Sequence, residues 1–238
     1  MALVKKKPGV RVPAGHRAAA PRQDHPWVAV DVVVLTIEAA QLLALLVKVK
    51  NGPAAGKWAF PGGLVALRES IEEAARRELE EKTGVTDIFL EQLFTFGKID
   101  RNPIQRVVSA AYFALVPHRG AYLRSGAKYA GAGWFPMRDL PRLAYDHSEI
   151  AATALTRLRS KLAYTNIAWS LLPEAFTLAE LQEVYEVILD RPLDRRNFRK
   201  KVLSLELVKP LALQRRGPHR PARLFAFRSR EPIINEIL

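Results

Sequence analysis

Three acidic positions and one arginine have the types and spacing to do chemistry on a phosphate. Gly63 is followed after five residues by Glu69, and after seven more by Arg77-Glu78-Leu79-Glu80-Glu81-Lys82-Thr83-Gly84-Val85. On a helix Glu78, Glu81 and position 82 fall at i, i+3 and i+4, so they share one face. Carboxylates that point the same way suit a hard divalent cation such as Mg2+, which takes oxygen ligands and commonly arrives with substrate phosphates. Lys82 puts an ammonium on that same face. An ammonium there repels a metal, yet it can itself meet a phosphate. With Lys82 turned outward, Glu78 and Glu81 alone would still hold one Mg2+. Glu69 and Arg77 are expected to form a structural ion pair rather than a catalytic one.

The elements that must position these residues can be read on either side. Trp27 to Ile37 is rich in valine and strand-like, and Ala39 to Lys50 is a second apolar run ended by Asn51-Gly52-Pro53. Trp58 to Phe60, Ile88 to Leu93, Val107 to Val116 and Trp134 to Pro136 are further strand segments. Ser70 to Thr83 is predicted helical, with Ile71, Ala74, Ala75 and Leu79 as its apolar stripe and Gly84 in the C′ position. A second helix is predicted over Glu149 to Leu162. Strands interleaved with one central and one late helix indicate a mixed sheet between helices, in an α+β chain. Asp146 and His147 could serve as a ligand pair, but capping the helix that follows is the role the position favours.

The charge lies elsewhere. The chain has 238 residues with Lys+Arg 37 against Asp+Glu 24, a net charge of +13. Such an excess calls for a polyanionic partner. From Asp190 to Arg230 thirteen Lys/Arg face three Asp/Glu, so much of the excess sits in the last fifth of the chain. A capping box, Thr177 with Glu180, starts a helix there. Asp194 caps a second helix, Arg195-Arg196-Asn197-Phe198-Arg199-Lys200-Lys201-Val202-Leu203, in which Phe198, Val202 and Leu203 are expected to face the core. Leu207-Val208 and Leu224 to Phe227 are short strands, joined by a loop with Arg215, Arg216, Arg220 and Arg223. Helix, turn, basic helix and basic hairpin is the order of a winged helix-turn-helix. Arg195, Arg196, Asn197, Arg199, Lys200 and Lys201 are therefore the DNA-binding candidates on the helix, and the four loop arginines those on the wing. The absence of cysteine excludes disulfides, thiolate zinc and a cysteine nucleophile. No apolar run approaches the length of a membrane span, and residues 1–25 read as a disordered basic tail with no signal peptide. A cytoplasmic, nucleoid-associated protein is expected.

Residues Gly63, Glu69, Arg77, Glu78, Leu79, Glu81, Gly84 and Val85 resemble the Nudix box, with Lys82 in place of a metal-binding glutamate. Together the two halves resemble the Nudix-related transcriptional regulators of NAD metabolism, the NrtR family. The resemblance also rests on Leu90 to Gly97, Arg106 to Tyr112, Leu143 to His147, Phe176 to Glu186, Leu193 to Lys201 and Arg220 to Leu224. It implies a Nudix-like α/β/α sandwich over 26–163 that senses ADP-ribose or a related nucleotide. Over 164–238 it implies a winged helix that binds a palindromic operator as a homodimer and represses NAD biosynthesis or salvage genes. No cofactor is then required, with Mg2+ entering at most alongside the nucleotide at Glu78 and Glu81. Ligand contacts would come from Arg77, Glu78, Glu81, Lys82, Arg101 and Arg106. The family's middle loop, Asp-Arg-Asp-Pro then Arg, is here Asp100-Arg101-Asn102-Pro103-Ile104-Gln105-Arg106. The competing reading is a Mg-dependent ADP-ribose or nucleotide-sugar pyrophosphatase with a basic accessory domain.

Overall fold

The structure, a computed structural model, describes residues 25–84, 89–117, 129–215, 221–234 and 237. The basic tail, Arg216 and Arg220 lie outside the described residues, as does the side chain of Lys82.

The valine-rich segment forms the central strand β1, Trp27–Glu38, and the next apolar run forms β2, Gln41–Val49. Ala39 and Ala40 have φ of 46° and 57°, so they make the two-residue turn of a hairpin and the second strand begins at Gln41 rather than at Ala39. β3 is Trp58–Ala59, β4 Gly62–Leu64, β5 Phe89–Phe96, β6 Val107–Leu115 and β7 Tyr129–Pro136. The sheet runs β3-β2-β1-β6-β5, with β4 on β1 and β7 on β2. β1 and β6 are parallel and the other pairs antiparallel, as a mixed sheet requires.

Strand periodicity sorts the core into two layers. Val30, Val32 and Val34 pack with Ala74, Ala75 and Leu79 of helix α1, Ile71–Thr83. Ile71, expected in that stripe, is instead 40% exposed, because it opens the first turn beyond the sheet. Val33 and Leu35 face the opposite way and pack with Ile150, Ala154, Leu158 and Leu162 of helix α2, His147–Tyr164. Ser70 and Glu73 close a capping box at the start of α1, and Gly84 ends it at φ 68°.

The C-terminal part follows a 3-10 helix, Ile167–Leu171. Helix α3, Leu178–Leu189, starts at the predicted Thr177–Glu180 capping box and ends at Asp190 in the left-handed region. Helix α4, Arg195–Ser204, is capped by Asp194, which accepts a hydrogen bond from Asn197 N. Strands β8, Val208–Arg215, and β9, Ala222–Phe227, form the wing, and Phe176 pairs with Phe225 beside them. One buried cluster runs from Val33 and Leu35 through α2 to Leu181, Tyr185, Phe198 and Val202, so sheet and winged helix share a core. Among the described residues no helix is long and apolar enough to cross a membrane.

Candidate ligand cleft and nucleic-acid interface

A lone acid interrupts the valines of β1. Asp31 shares strand parity with Val33 and Leu35, so its side chain emerges on the α2 side of the sheet. There it meets three groups brought from distant segments. Ser109 of β6 donates to Asp31 Oδ2 at 2.6 Å, Arg101 Nη2 donates to the same oxygen at 3.2 Å, and His147 Nε2 lies 3.4 Å from Oδ1. Arg101 also grips Asp146 in a two-pronged pair, Nε to Oδ2 at 2.9 Å and Nη2 to Oδ1 at 2.8 Å. Asp31, Arg101 and His147 are all buried. Burial works against the Arg101 charge, but the hydrogen bond and charge of Asp146 and those of Asp31 outweigh it and raise the pKa.

His147 is held neutral. Its Nδ1 accepts from Phe60 N at 2.9 Å, which leaves the proton on Nε2, facing Asp31. Burial pushes its pKa below the usual value of 6.5, against the pull of Asp31. Asp146 stands at the N-cap position of α2, yet its side chain makes no capping bond, because Arg101 occupies both carboxylate oxygens. The predicted capping role is thus replaced by a bridge from the 97–106 loop to α2.

These groups floor a cleft of about 370 Å3 whose walls include Phe60, Gly62, Gly63, Tyr129 and Tyr145. A second cleft of about 510 Å3 adjoins it, sharing Arg101 and Tyr145 and adding Lys57, Lys98 and Arg142. Tyr145 takes φ 51°, an uncommon conformation for an aromatic residue. A Cβ on Gly62 would stand 2.5 Å from both Asp31 Oδ1 and Val30 O, so only glycine lets β4 approach β1 this closely. Asp31, Tyr129 and Tyr145 were not among the residues nominated from sequence. Asp31 has a signal, an acid inside an apolar run, and Tyr145 lies in the Leu143 to His147 stretch; Tyr129 has none.

The box lies across the sheet from this floor. Arg77 Nε and Nη2 donate to Glu69 at 3.0 and 2.8 Å, Nη1 donates to buried Glu78 at 3.0 Å, and Glu81 is 3.7 Å away. Glu69 also accepts from Ala66 N, and the Arg77 bond together with this one lowers its pKa to about 2. The expected Glu69–Arg77 ion pair therefore forms. The Arg77 guanidinium sits among the three carboxylates, and among the described residues no group of three or more His, Asp or Glu stands ready to hold an ion. Arg77, Glu78 and Glu81 line neither cleft; Arg77 reaches its edge through Leu64 O at 3.4 Å. Arg106 lines neither as well. Its guanidinium donates to Lys98 O, Gly97 O and Val107 O, which fixes the loop carrying Arg101. Of the five ligand candidates whose side chains are described, Arg101 alone lies in these two clefts, as a buried anchor.

On α4, Phe198 and Val202 are buried while Arg195, Arg196, Asn197 and Lys200 are exposed and Arg199 and Lys201 half-buried. Leu203, expected in the core, is 45% exposed, because the turn ends one residue beyond it and Val202 fills the contact. Residues 196 and 200 stand two positions from 198 and 202, about 200° around the helix, so they face directly away from the core. Burial lowers the Arg199 pKa, and the nearby Arg195 charge adds to the shift. On the wing Arg223 is exposed, whereas Arg215 pairs with Glu180 of the α3 capping box and reaches Ala175 O.

Comparison with known proteins matches both halves. The NUDIX domain model covers residues 25–157 and the NrtR DNA-binding winged helix domain model covers 168–227. The ADPR-responsive transcriptional repressor NtrR of Acinetobacter baylyi is 34% identical over 206 residues, which is 85% of this chain and 82% of that protein. The structure of Shewanella oneidensis NrtR complexed with a 27mer DNA superposes with a TM-score of 0.77 at 34% identity, covering 84% of this chain and 93% of that one. The NUDIX domain of the same Shewanella protein, complexed with ADP ribose, gives a TM-score of 0.53 at 32% identity, over 60% of this chain and 94% of that one. A NUDIX domain followed by an NrtR winged helix, on one shared core, places this chain in the NrtR family.

Proposed function

We propose that this protein is an ADP-ribose-responsive transcriptional repressor. It binds operator DNA through α4 and the wing, and ADP-ribose through the Nudix half. The observation that carries this reading is the core shared between the cleft-forming sheet and a helix whose outward face is Arg196, Asn197 and Lys200. Two relatives support it: one is described as an ADPR-responsive repressor, and the other is seen bound to DNA and, through its NUDIX domain, to ADP ribose.

The chemistry follows from the two surfaces. Arginine and asparagine in the major groove read guanine and adenine edges, and lysine and the remaining arginines hold phosphates. The cleft offers aromatic walls for a base or ribose, from Phe60, Tyr129 and Tyr145, over a fixed polar floor. The arrangement around Arg77 supports recognition of the nucleotide over its rapid hydrolysis. We further propose that the protein acts as a homodimer on a two-fold operator, as a palindromic site requires, and that the genes controlled serve NAD biosynthesis or salvage. A gel shift with DNA from upstream of such genes tests this. A sequence-specific complex at moderate salt, changed by ADP-ribose, is expected; no specific complex would sink the repressor reading, and rapid Mg2+-dependent cleavage of ADP-ribose would favour the hydrolase.

A further inference from the structure

Two arginines of the sheet domain hold the far end of α3. Arg159, on α2, donates through Nε to Ile188 O at 2.8 Å. Ile188 lies in the last turn of α3, where helix carbonyls lack a partner within the helix. Arg138, just after β7, pairs with Asp190, the left-handed C-cap of the same helix.

What holds α3 also aims α4. Leu193, in the turn between them, donates its N–H to Glu186 Oε1 at 2.8 Å, and its carbonyl accepts from Gln182 Nε2 at 3.0 Å. The Tyr185 and Phe198 rings meet edge to face at 5.1 Å. α3, the turn and α4 are therefore one rigid unit. Its seam with the sheet domain is partly hollow, a cavity of about 310 Å3 bounded by Leu42, Met137, Leu155 and Val187. A close-packed seam would fix the angle by itself. A partly hollow one leaves some of that task to the two arginine contacts, beside the shared core.

The other end of α2 is in the cleft. Asp146 and His147, at its start, carry the bonds to Arg101 and Phe60. The helix has 18 residues, about 27 Å at 1.5 Å per residue. We infer that α2 couples the cleft to the reading helix, with Arg159 as the positioning residue whose bond to Ile188 sets the angle of α4 on DNA. This deepens the repressor reading and rests on it.

The test uses the full-length protein with Arg159→Met, which keeps an apolar stem and removes the donors. Operator DNA affinity is measured with and without saturating ADP-ribose, and the ratio is the coupling factor. In the variant the ADP-ribose Kd stays within about threefold of wild type, while the coupling factor falls by about fivefold or to unity. Arg159→Lys, still a donor, recovers part of it. Arg157→Met, whose guanidinium bonds Glu91 and Leu93 O within the sheet domain, keeps the wild-type factor. An unchanged factor in Arg159→Met, or an equal loss in Arg157→Met, overturns the inference. Should Arg159→Met fail to fold, Arg138→Gln takes its place, with a partial loss expected and an unchanged factor again overturning. A wild type indifferent to ADP-ribose overturns the repressor reading, and this inference with it.

Discussion

Arg101 is the residue on which the cleft depends most. It pairs with Asp31 and Asp146 at once while nearly out of water. Removing one partner of a buried ion pair leaves uncompensated charge, which costs roughly 3–5 kcal/mol. Arg101→Met is accordingly predicted to lower the unfolding free energy by about that much in urea denaturation, and adding Asp31→Asn to recover part of it. The neighbouring His147 gives the site a pH signature. Its folded-state pKa lies below 6.5, so between the two values the unfolded chain binds more protons and stability rises with pH. Stability is therefore lost as pH falls below about 6.5, through a window distinct from that of Glu69, whose contribution disappears only between 4.5 and about 2. The thermal midpoint should drop from pH 7.5 to pH 5.5 in wild type and drop less in His147→Gln. Equal slopes in the two proteins would contradict the buried neutral imidazole.

Elements with local chemistry were legible in the sequence. The Thr177–Glu180 box, the Asp194 cap and Gly84 each set a helix end through bonds made within four residues, and each forms as read. What failed needed tertiary context. β4 is three residues long and exists because Gly62 tolerates contact with Asp31, a pairing across the chain that no local pattern reveals. Asp146 looked like a cap because its competing partner, Arg101, is 45 residues away. Arg106 looked like a free cation for the same reason, since the carbonyls that engage it become neighbours only when the loop folds. The reading helix was legible as basic and amphipathic, though not in the orientation of Leu203. Arg196→Ala is predicted to weaken operator binding by roughly 1–3 kcal/mol, with ADP-ribose binding unchanged by calorimetry. Loss of both would point to misfolding instead.

Across the whole molecule the two surfaces are chemically separate but mechanically continuous. The net charge of +13 gathers toward the winged helix, while the cleft floor is a hydrogen-bonded set of Asp31, Asp146 and Arg101. Composition foretold the polyanion and the box foretold the nucleotide fold. Neither could show that the box carboxylates close around Arg77, nor that α2 spans from the cleft to α3, because both are properties of packing. The account stands on communication between those ends. The most direct measurement is a fluorescence-anisotropy titration of labelled operator DNA at fixed ionic strength, with and without ADP-ribose, with the nucleotide recovered afterwards. A change of about fivefold or more in the DNA Kd, with the ADP-ribose returned intact, is the result predicted. An unchanged Kd, or ADP-ribose consumed at an enzyme's rate during the titration, would contradict it.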